Sequence, residues 1–207
     1  AALPGTYVAQ LIVNDGKVNS APDSVTIIAQ PLPDTTPPVI GPVSDQTVEA
    51  TSAAGAVVIF GLPTVTDNVD PAPQVSANPP SGSTFPMGVT TVTVTATDAA
   101  GNTSTKTFTV TVQDTTPPVI GPVSNITAEA TSSAGAVVTF ALPTVTDNVD
   151  PAPQVSASPP SGNTFPLGVT TVTVTAKDAA GNTSTKTFTV TVQDTTPPVI
   201  GPVSNIT

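Results

Sequence analysis

The segment TDNVDPAP occurs twice in the chain and groups side chains that could bind a metal ion. Carboxylate and amide oxygens are the ligands that Ca²⁺ prefers in proteins, and the ion takes six to eight of them. The carboxylates that could serve are Asp67 and Asp70 in the first copy and Asp147 and Asp150 in the second. An asparagine in each segment, Asn68 or Asn148, adds a third oxygen donor.

Turn formation is the other explanation for these segments. Three donors are too few for calcium unless the fold adds Asp98 with Asn102, or Asp114. Asp and Asn also accept hydrogen bonds from their own backbone in Asx turns, and VDP is an ordinary turn start. The segments lack the dense alternating acidic pattern of known calcium loops. We favour the turn interpretation, assign no metal or cofactor, and predict that calcium is not required for folding.

The composition excludes the common catalytic arrangements. The chain has no His and no Cys, so Ser-His and Cys-His pairs are impossible. A carboxylate pair for glycoside hydrolysis would have to be present in both copies, which is an unusual way to build an enzyme. We therefore predict no catalytic residues and no enzymatic activity.

Charge and hydropathy exclude two further classes of partner. The formal net charge is −10, with only four cationic residues against fourteen acidic ones. Such a chain cannot neutralise a phosphate backbone, so nucleic acid is not an expected partner. The longest apolar run, around GAVVIFGLP, is far shorter than the roughly 20 residues that span a bilayer. We expect no membrane insertion in this segment.

The chain is built from an internal repeat. The phrase DTTPPVIGPVS begins at Asp34, again at Asp114 and again at Asp194, each 80 residues after the last. Residues 34–113 align with 114–193 without a gap and differ at ten positions. We predict two domains with these bounds. Residues 1–33 are expected to be the last two strands of a preceding, diverged immunoglobulin-like domain, and 194–207 the first strand of a further, truncated repeat.

These incomplete ends predict a longer parent protein. Half a β-sandwich cannot bury its own core, and unpaired strand edges are an aggregation hazard. The missing strands would come from the rest of the same polypeptide, which we favour, or from a neighbouring subunit that donates a strand.

Alternation of apolar and polar residues predicts strands throughout. In VTTVTVTAT the residues Val92, Val94 and Ala96 share one face and threonines the other, and KTFTVTV alternates in the same way around Phe108. This pattern is typical of half-buried antiparallel strands. The turn DAAGNTS joins the two strands into a hairpin, with Gly101 in a left-handed conformation.

Other positions predict which side chains face the core. In AVVIF we expect Ala56, Val58 and Phe60 to point inward and Val57 and Ile59 outward, because Thr139 replaces Ile59 in the second copy. We place Met87 and its counterpart Leu167 in the core and Thr97 and Lys177 in solvent. The threonine row Thr91, Thr93 and Thr95 is expected to be exposed.

The fold predicted from these elements is all-β. Shorter strands are expected near QTVEA and PQVSA, and no segment shows helical periodicity with caps. Several short strands separated by Pro- and Gly-rich turns predict tandem Greek-key, immunoglobulin-like β-sandwiches of about seven strands each.

Two segments resemble the hyalin repeat, or HYR, family of immunoglobulin-like modules. PPSGSTFPMGVTTVTVTATDAAGNTSTKTFTVTVQD resembles the second half of such a repeat, and DTTPPVI…TVEAT…GAVVIFGLPTVTDNVDPAPQVS resembles the first half. The resemblance implies an extracellular adhesion or spacer role and no chemistry. Many animal members carry a Cys pair where this chain has Ala, Ser or Thr, so it is similar to the bacterial, Cys-free form.

The Pro-Pro phrase predicts how the repeats are joined. Proline fixes φ and biases the preceding residue toward extended geometry, so TTPPVI is expected to be a stiff joint. Near-identical joints would make a stalk, adhesin shaft or surface filament, with other repeats of the same chain, or identical chains in a fibre, as partners. The alternatives are a carbohydrate-binding or spacer module of a secreted hydrolase and a calcium-stiffened adhesin.

Overall fold

The computed structural model describes residues 4–202, which contain eighteen β-strands and no helix. These residues form two compact units. One unit contains the chain up to Val43 with Leu62–Asn78 and Thr93–Lys106, and the other contains Ser44–Gly61, Pro79–Val92 and the chain from Thr107 onward.

The N-terminal part forms the predicted pair of strands. β1, Gly5–Leu11, runs antiparallel to β2, Asp23–Ala29. Every residue of both strands is exposed except Ala29, which is half-buried. The pair therefore has no buried face of its own within the described residues.

Each 80-residue repeat contributes eight strands. In the first repeat they are β3 Val39–Ile40, β4 Gln46–Glu49, β5 Ala56–Val57, β6 Val65–Thr66, β7 Gln74–Asn78, β8 Thr84–Phe85, β9 Gly88–Thr97 and β10 Thr103–Gln113. In the second they are β11 Val119–Ile120, β12 Ile126–Glu129, β13 Ala136–Val137, β14 Val145–Thr146, β15 Gln154–Ser158, β16 Thr164–Phe165, β17 Gly168–Lys177 and β18 Thr183–Gln193.

The two repeats have the same sheet topology. In the second repeat a four-stranded sheet has the order β12-β18-β17-β15, with β12 parallel to β18 and the other pairs antiparallel. Two shorter pairs, β11 with β14 and β13 with β16, complete the repeat. The corresponding sheet of the first repeat has the order β4-β10-β9-β7. The predicted all-β class and tandem immunoglobulin-like β-sandwiches are confirmed.

The core consists of the inward-facing residues of these strands. In the second repeat Val172, Val174, Val190 and Val192 are at most 2% exposed and pack in one cluster with the phenylalanines. The Phe140 ring meets that of Phe188 edge-on, with the centroids 5.1 Å apart, a favourable geometry for aromatic pairs. Because side chains alternate between the two faces of a strand, every second side chain packs against the opposing strands.

The predicted inward and outward faces are largely confirmed. The buried side chains include Ala56, Val58, Phe60, Val92, Val94, Ala96, Phe108 and Val110, while Val57 and Ile59 are exposed. The threonine row is only partly exposed, because Thr93 and Thr95 are half-buried beside β7. Thr91 lies beyond the end of β7 and is exposed. The presence or absence of β7 alongside therefore determines how exposed each threonine is.

The predicted strand count is too low, since each repeat has eight strands instead of seven. The alternation pattern missed β6 and β8, and likewise β14 and β16, which are two residues long and too short to show a period. The predicted AVVIF strand is also shortened to two residues, Ala56–Val57.

The core placement of Met87 and Leu167 is wrong. These side chains are 40% and 50% exposed. Each lies between a proline and a glycine of positive φ, which is +94° at Gly88 and +99° at Gly168. The chain therefore turns at this point, where β9 or β17 begins. Met87 lines a hollow with Ala53, Asp114 and Val149. Lys177 is exposed as predicted, whereas Thr97 is half-buried.

The expected first strand of a third repeat is not formed in the described residues up to 202. Val199 and Ile200 are 94% and 89% exposed and belong to no strand. In the complete repeats, the corresponding pairs bond to β6 and β14. The rest of that predicted strand lies outside the described residues.

Candidate functional site

The TDNVD loop of the second repeat begins where β14 ends. Asp147 Oδ1 accepts hydrogen bonds from the amides of Val149 and Asp150, both at 2.8 Å. Asp67 Oδ1 accepts the corresponding bonds in the first repeat, at 2.9 Å. Bonds from the Asp70 and Val69 amides lower the pKa of Asp67 from its ordinary value. Turn formation, as the sequence predicts, therefore accounts for one oxygen of each of these carboxylates.

The second aspartate of the loop has a different role. Asp150 Oδ1 accepts a bond from the Ala152 amide and Oδ2 accepts one from the Ala179 amide, each at 2.9 Å. Asp70 makes the corresponding bonds in the first repeat. Oδ2 therefore fastens the loop to the DAAGN turn, while Oδ1 accepts a bond within the loop itself, so these two calcium candidates serve as structural acceptors.

The DAAGN turn supplies a further buried carboxylate. Gly181 has a φ of +100°, which glycine adopts without steric cost. Asp178 accepts bonds at Oδ1 from the amides of Gly181 and Asn182 and at Oδ2 from the Asn182 side chain. Burial alone would raise the pKa of Asp178, but these hydrogen bonds together outweigh it and lower that pKa.

The fold brings one aspartate from each of three segments together. Oxygens of Asp114, Asp147 and Asp178 lie within 4.8 Å of one another, and we call this group the second acidic cluster. The matching group of the first repeat, the first acidic cluster, consists of Asp34, Asp67 and Asp98. Asp70 and Asp150 belong to neither cluster. The side chain of Asn182 positions the linker by donating to the carbonyl oxygen of Asp114 at 3.1 Å.

The second acidic cluster contains one buried carboxylate oxygen that no hydrogen bond satisfies within the described residues. Asp147 Oδ2 is buried and has no hydrogen-bond partner in residues 4–202, and the same holds for Asp67 Oδ2. The Asp114 side chain is only 8% exposed, and its carboxylate accepts one bond, at Oδ1 from the Thr116 amide. Burial, together with the negative charges of Asp147, Asp178 and Glu49, raises the pKa of Asp114.

The linker beside this cluster is held by a residue that the sequence did not single out. Glu49, at the end of β4, accepts bonds from the amide and hydroxyl of Thr115 and the hydroxyl of Thr116, all at 2.8 Å. The amide bond from Thr115, followed by the hydroxyl bonds, lowers the pKa of Glu49 from its ordinary value of 4.5. The signal was available, because TVEA and TAEA place the same acid 66 residues before the threonine in both copies.

A second contact joins the loop to the preceding repeat. The Asn148 side chain donates to the carbonyl oxygen of Ala50 at 3.0 Å. Glu49 thus holds the linker, and Asn148 ties the loop to the adjacent residue Ala50. Glu129 makes the bonds of Glu49 again to Thr195 and Thr196, after the second repeat.

The chain is thus a tandem array of β-sandwich repeats, each of which contains one aspartate cluster. The HYR domain family matches residues 33–112 and 113–192, and the chain belongs to that family, as its sequence motifs predicted. Nothing in the match decides between a bacterial and an animal source, and the bacterial origin stays a prediction.

Curated relatives extend over most of this chain. Hyalin of Lytechinus variegatus is 40% identical over 207 residues, which is 95% of this chain and 38% of hyalin. Hyalin of Strongylocentrotus purpuratus is 36% identical, over 98% of this chain and 18% of that protein. The serine-rich adhesin for platelets of Staphylococcus aureus is 31% identical, over 70% of this chain and 7% of the adhesin. The chain spans less than two fifths of the length of these relatives.

Among solved structures, mouse cadherin-23 EC22-24 aligns with 91% of this chain and 74% of its own, at 16% identity and a TM-score of 0.37. Within residues 4–202, no helix is long and apolar enough to cross a membrane.

Proposed function

We propose that these repeats are a stiff, non-enzymatic segment of an extracellular, adhesion-type surface protein. Membership of the HYR family and the relationship to hyalin and to a bacterial adhesin support the adhesion class and the extracellular location. The stiff shaft is the more specific part of the proposal. Other repeats of the same chain, or identical chains in a fibre, are the partners that such a role requires.

The linker contacts of Glu49 carry the proposal of stiffness. A linker that bonds only to itself can rotate, whereas this one is tied to β4 by three hydrogen bonds. The Asn148 contact with Ala50 adds a fourth bond nearby. Hydrogen bonds that cross a joint oppose bending, because bending must break them, at about 0.5–1.5 kcal/mol each.

The placement of the aromatic side chains favours a shaft over a carbohydrate-binding module. Sugar-binding surfaces use exposed aromatic rings, yet five of the six phenylalanines are at most 8% exposed and Phe140 is half-buried. Tyr7, the one tyrosine, is 42% exposed but lies in the N-terminal strand pair. The repeats themselves therefore offer no aromatic platform within the described residues.

Electron–electron distance measurements test the stiffness directly. The chain has no Cys, so cysteines replacing the exposed residues Thr107 and Thr187 would carry two unique spin labels. A stiff joint gives a narrow distance distribution in the full chain. Glu49→Ala should broaden this distribution, because it removes all three bonds to the linker.

Glu129→Ala is the matched control. It removes the corresponding bonds to Thr195 and Thr196, which follow both labels in the chain. The distribution should therefore stay as narrow as that of the parent. A broad distribution in the parent protein, or equal broadening by the two variants, would contradict the proposed shaft.

A further inference from the structure

We propose that Asp114, Asp147 and Asp178 bind one calcium ion at the joint between the two repeats. The ion would connect the linker, the TDNVD loop and the DAAGN turn through one carboxylate from each. Its stiffening effect rests on the shaft function proposed above, whereas the binding itself rests on the second acidic cluster alone. Calcium is expected to strengthen this joint, and the hydrophobic core of each sandwich does not depend on it.

The spacing of the carboxylates fits calcium. Ca²⁺ binds oxygens at 2.3–2.6 Å, so two ligands of one ion lie at most about 5 Å apart. One oxygen from each of the three aspartates falls within 4.8 Å of the others. A single ion can therefore contact all three carboxylates without a large rearrangement, and water or carbonyl oxygens would supply its remaining ligands.

The hydrogen bonding of the cluster points independently to a cation. A buried carboxylate oxygen without a donor is costly, and Asp147 Oδ2 is such an atom. Asp114 is more than nine-tenths buried, and only its Oδ1 accepts a hydrogen bond within residues 4–202. Turn formation does not explain these oxygens, since the turn bonds of Asp147 go to Oδ1. A cation would satisfy Asp147 Oδ2 and would also lie within reach of an oxygen of Asp114.

The electrostatic environment agrees with this arrangement. The charges that act on Asp114 are those of Asp147, Asp178 and Glu49, and all are negative. Three carboxylates this close repel one another unless one is protonated or a cation lies between them. At neutral pH a divalent ion removes the repulsion while every carboxylate stays ionised.

The donor set selects the class of metal. The chain has no His and no Cys, and all three side chains supply oxygen, which suits Ca²⁺ and Mg²⁺ over softer transition metals. Mg²⁺ needs a near-ideal octahedron at 2.0–2.1 Å and gives up its water reluctantly. Ca²⁺ accepts irregular sites, and three carboxylates are appropriate for an affinity of about 10⁻⁴–10⁻³ M, typical of extracellular modules.

Asp147→Asn tests the site with little risk to the fold. An asparagine oxygen can keep the turn bonds from Val149 and Asp150, while the buried Oδ2 ligand and one negative charge are lost. The matched control is Asp45→Asn. It also removes one charge, and asparagine occurs naturally at the equivalent position 125, where it accepts the same strand bond from Thr189 that Asp45 accepts from Thr109.

Calorimetric titration of the full chain with CaCl₂ measures the binding. We expect Asp147→Asn to lose one binding equivalent, or to weaken it at least tenfold, and Asp45→Asn to titrate like the parent. About 10 mM CaCl₂ should raise the Tm of the parent by roughly 5–10 °C, and equal MgCl₂ should raise it much less. Unchanged calcium binding in Asp147→Asn, or no binding by the parent below 10 mM, would overturn the proposal.

Stability in chelator separates a ligand from a merely structural residue. In EDTA, Asp147→Asn should be at least as stable as the parent, because it relieves repulsion, and only calcium should reverse that order. A variant less stable than the parent by the same amount with and without calcium would show a structural role only.

The spin-label distances then separate this inference from the shaft. Calcium binding without any narrowing of the distance distribution would support the metal site and contradict its stiffening role. A narrow distance distribution in EDTA, together with no calcium binding, would support the proposed stiff shaft and overturn the metal site.

Discussion

The two acidic clusters have the same residues and different surroundings. In the second, Asp114 is buried, Asn148 bonds to Ala50, and Glu49 holds the linker that follows Asp114. In the first, Asp34 is half-buried, and the side chain of Asn68 makes no hydrogen bond within residues 4–202. Identical loop sequences thus acquire different contacts according to what precedes them in the chain.

This difference separates what a repeat encodes by itself from what its neighbour adds. Each repeat builds its own turn bonds and its own cluster, as the paired contacts of Asp67 and Asp147 show. The bond of Asn148 to Ala50 needs a complete preceding repeat, whereas Glu129 makes the bonds of Glu49 again to the threonines that follow its own repeat. Stiffness would therefore be a property of pairs of repeats, and it would be weaker where a diverged neighbour precedes the joint.

Replacing a core phenylalanine should have the largest effect, and it should be equal in the two repeats. Phe108 and Phe188 are both 7% exposed and meet Phe60 and Phe140 at the same 5.1 Å centroid distance. Phe108→Ala and Phe188→Ala should each cost about 3–5 kcal/mol of the stability of their repeat. Urea unfolding of the full chain measures the cost. Clearly unequal costs would mean that the sandwiches themselves differ, and the contrast between the joints would then be secondary.

Removing the loop asparagine should distinguish the joints directly. Asn148→Ala loses the bond to Ala50 and leaves that carbonyl without its donor, at a cost of about 0.5–1.5 kcal/mol. Asn68→Ala removes no such bond and should change the unfolding free energy little. Equal losses in chemical denaturation would show that Asn148 acts inside its own loop and not across the joint.

Removing the linker carboxylate should have a smaller effect of opposite sign in chelator. Burial and neighbouring charges raise the folded-state pKa of Asp114, so its ionised form opposes folding once the pH rises through that pKa. Asp114→Asn should therefore stabilise the metal-free protein at pH 7.

The pH dependence checks the origin of that gain. The advantage of Asp114→Asn should shrink as the pH falls through the raised pKa and disappear below the ordinary pKa of 3.8, where the carboxyl is protonated in the folded and unfolded states alike. Asp34→Asn is the comparison, and its half-buried position predicts a smaller gain. Denaturation in EDTA at several pH values measures both, and a gain that persists in acid would contradict the electrostatic explanation.

The sequence predicted the fold well because its strongest signals are local. Strict alternation fixed the faces of β9 and β10, and the glycine at position 101 identified the hairpin turn. Two-residue strands such as β6 carry no periodic signal, so they were missed. Met87 was misplaced because its replacement by Leu167, a side chain of similar volume, is typical of a core position. Such a replacement is equally typical of a position near a joint between repeats.

The acidic clusters were only partly predictable. Asp67 and Asp147 stand out by composition, and Asp98 and Asp114 were recognised as residues that could complete a site. The fold brings three distant segments together, and their packing determines which carboxylate oxygens lack a hydrogen-bond donor. Residue spacing in the sequence does not predict that packing. Asp70 was indistinguishable from Asp67 in sequence, although its two oxygens bind backbone amides.

The smallest expected effect concerns the protonation of the glutamates that hold the linkers. Hydrogen bonds from Thr115 and Thr116 lower the pKa of Glu49, and those from Thr195 and Thr196 lower the pKa of Glu129. A lowered folded-state pKa means that the contribution to stability is complete above the ordinary value of 4.5 and is lost as the pH falls through the folded-state pKa. Both side chains are exposed, so the stabilisation is small.

Following the amide proton shifts of Thr115 and Thr195 with pH would give the pKa values of Glu49 and Glu129, each below 4.5. In EDTA, lowering the pH below both should broaden the spin-label distances across the joint of Glu49 as Glu49→Ala does, and should broaden those of that variant less. A parent protein whose joint stays narrow after Glu49 is protonated would show that other contacts, such as that of Asn148, suffice to hold it.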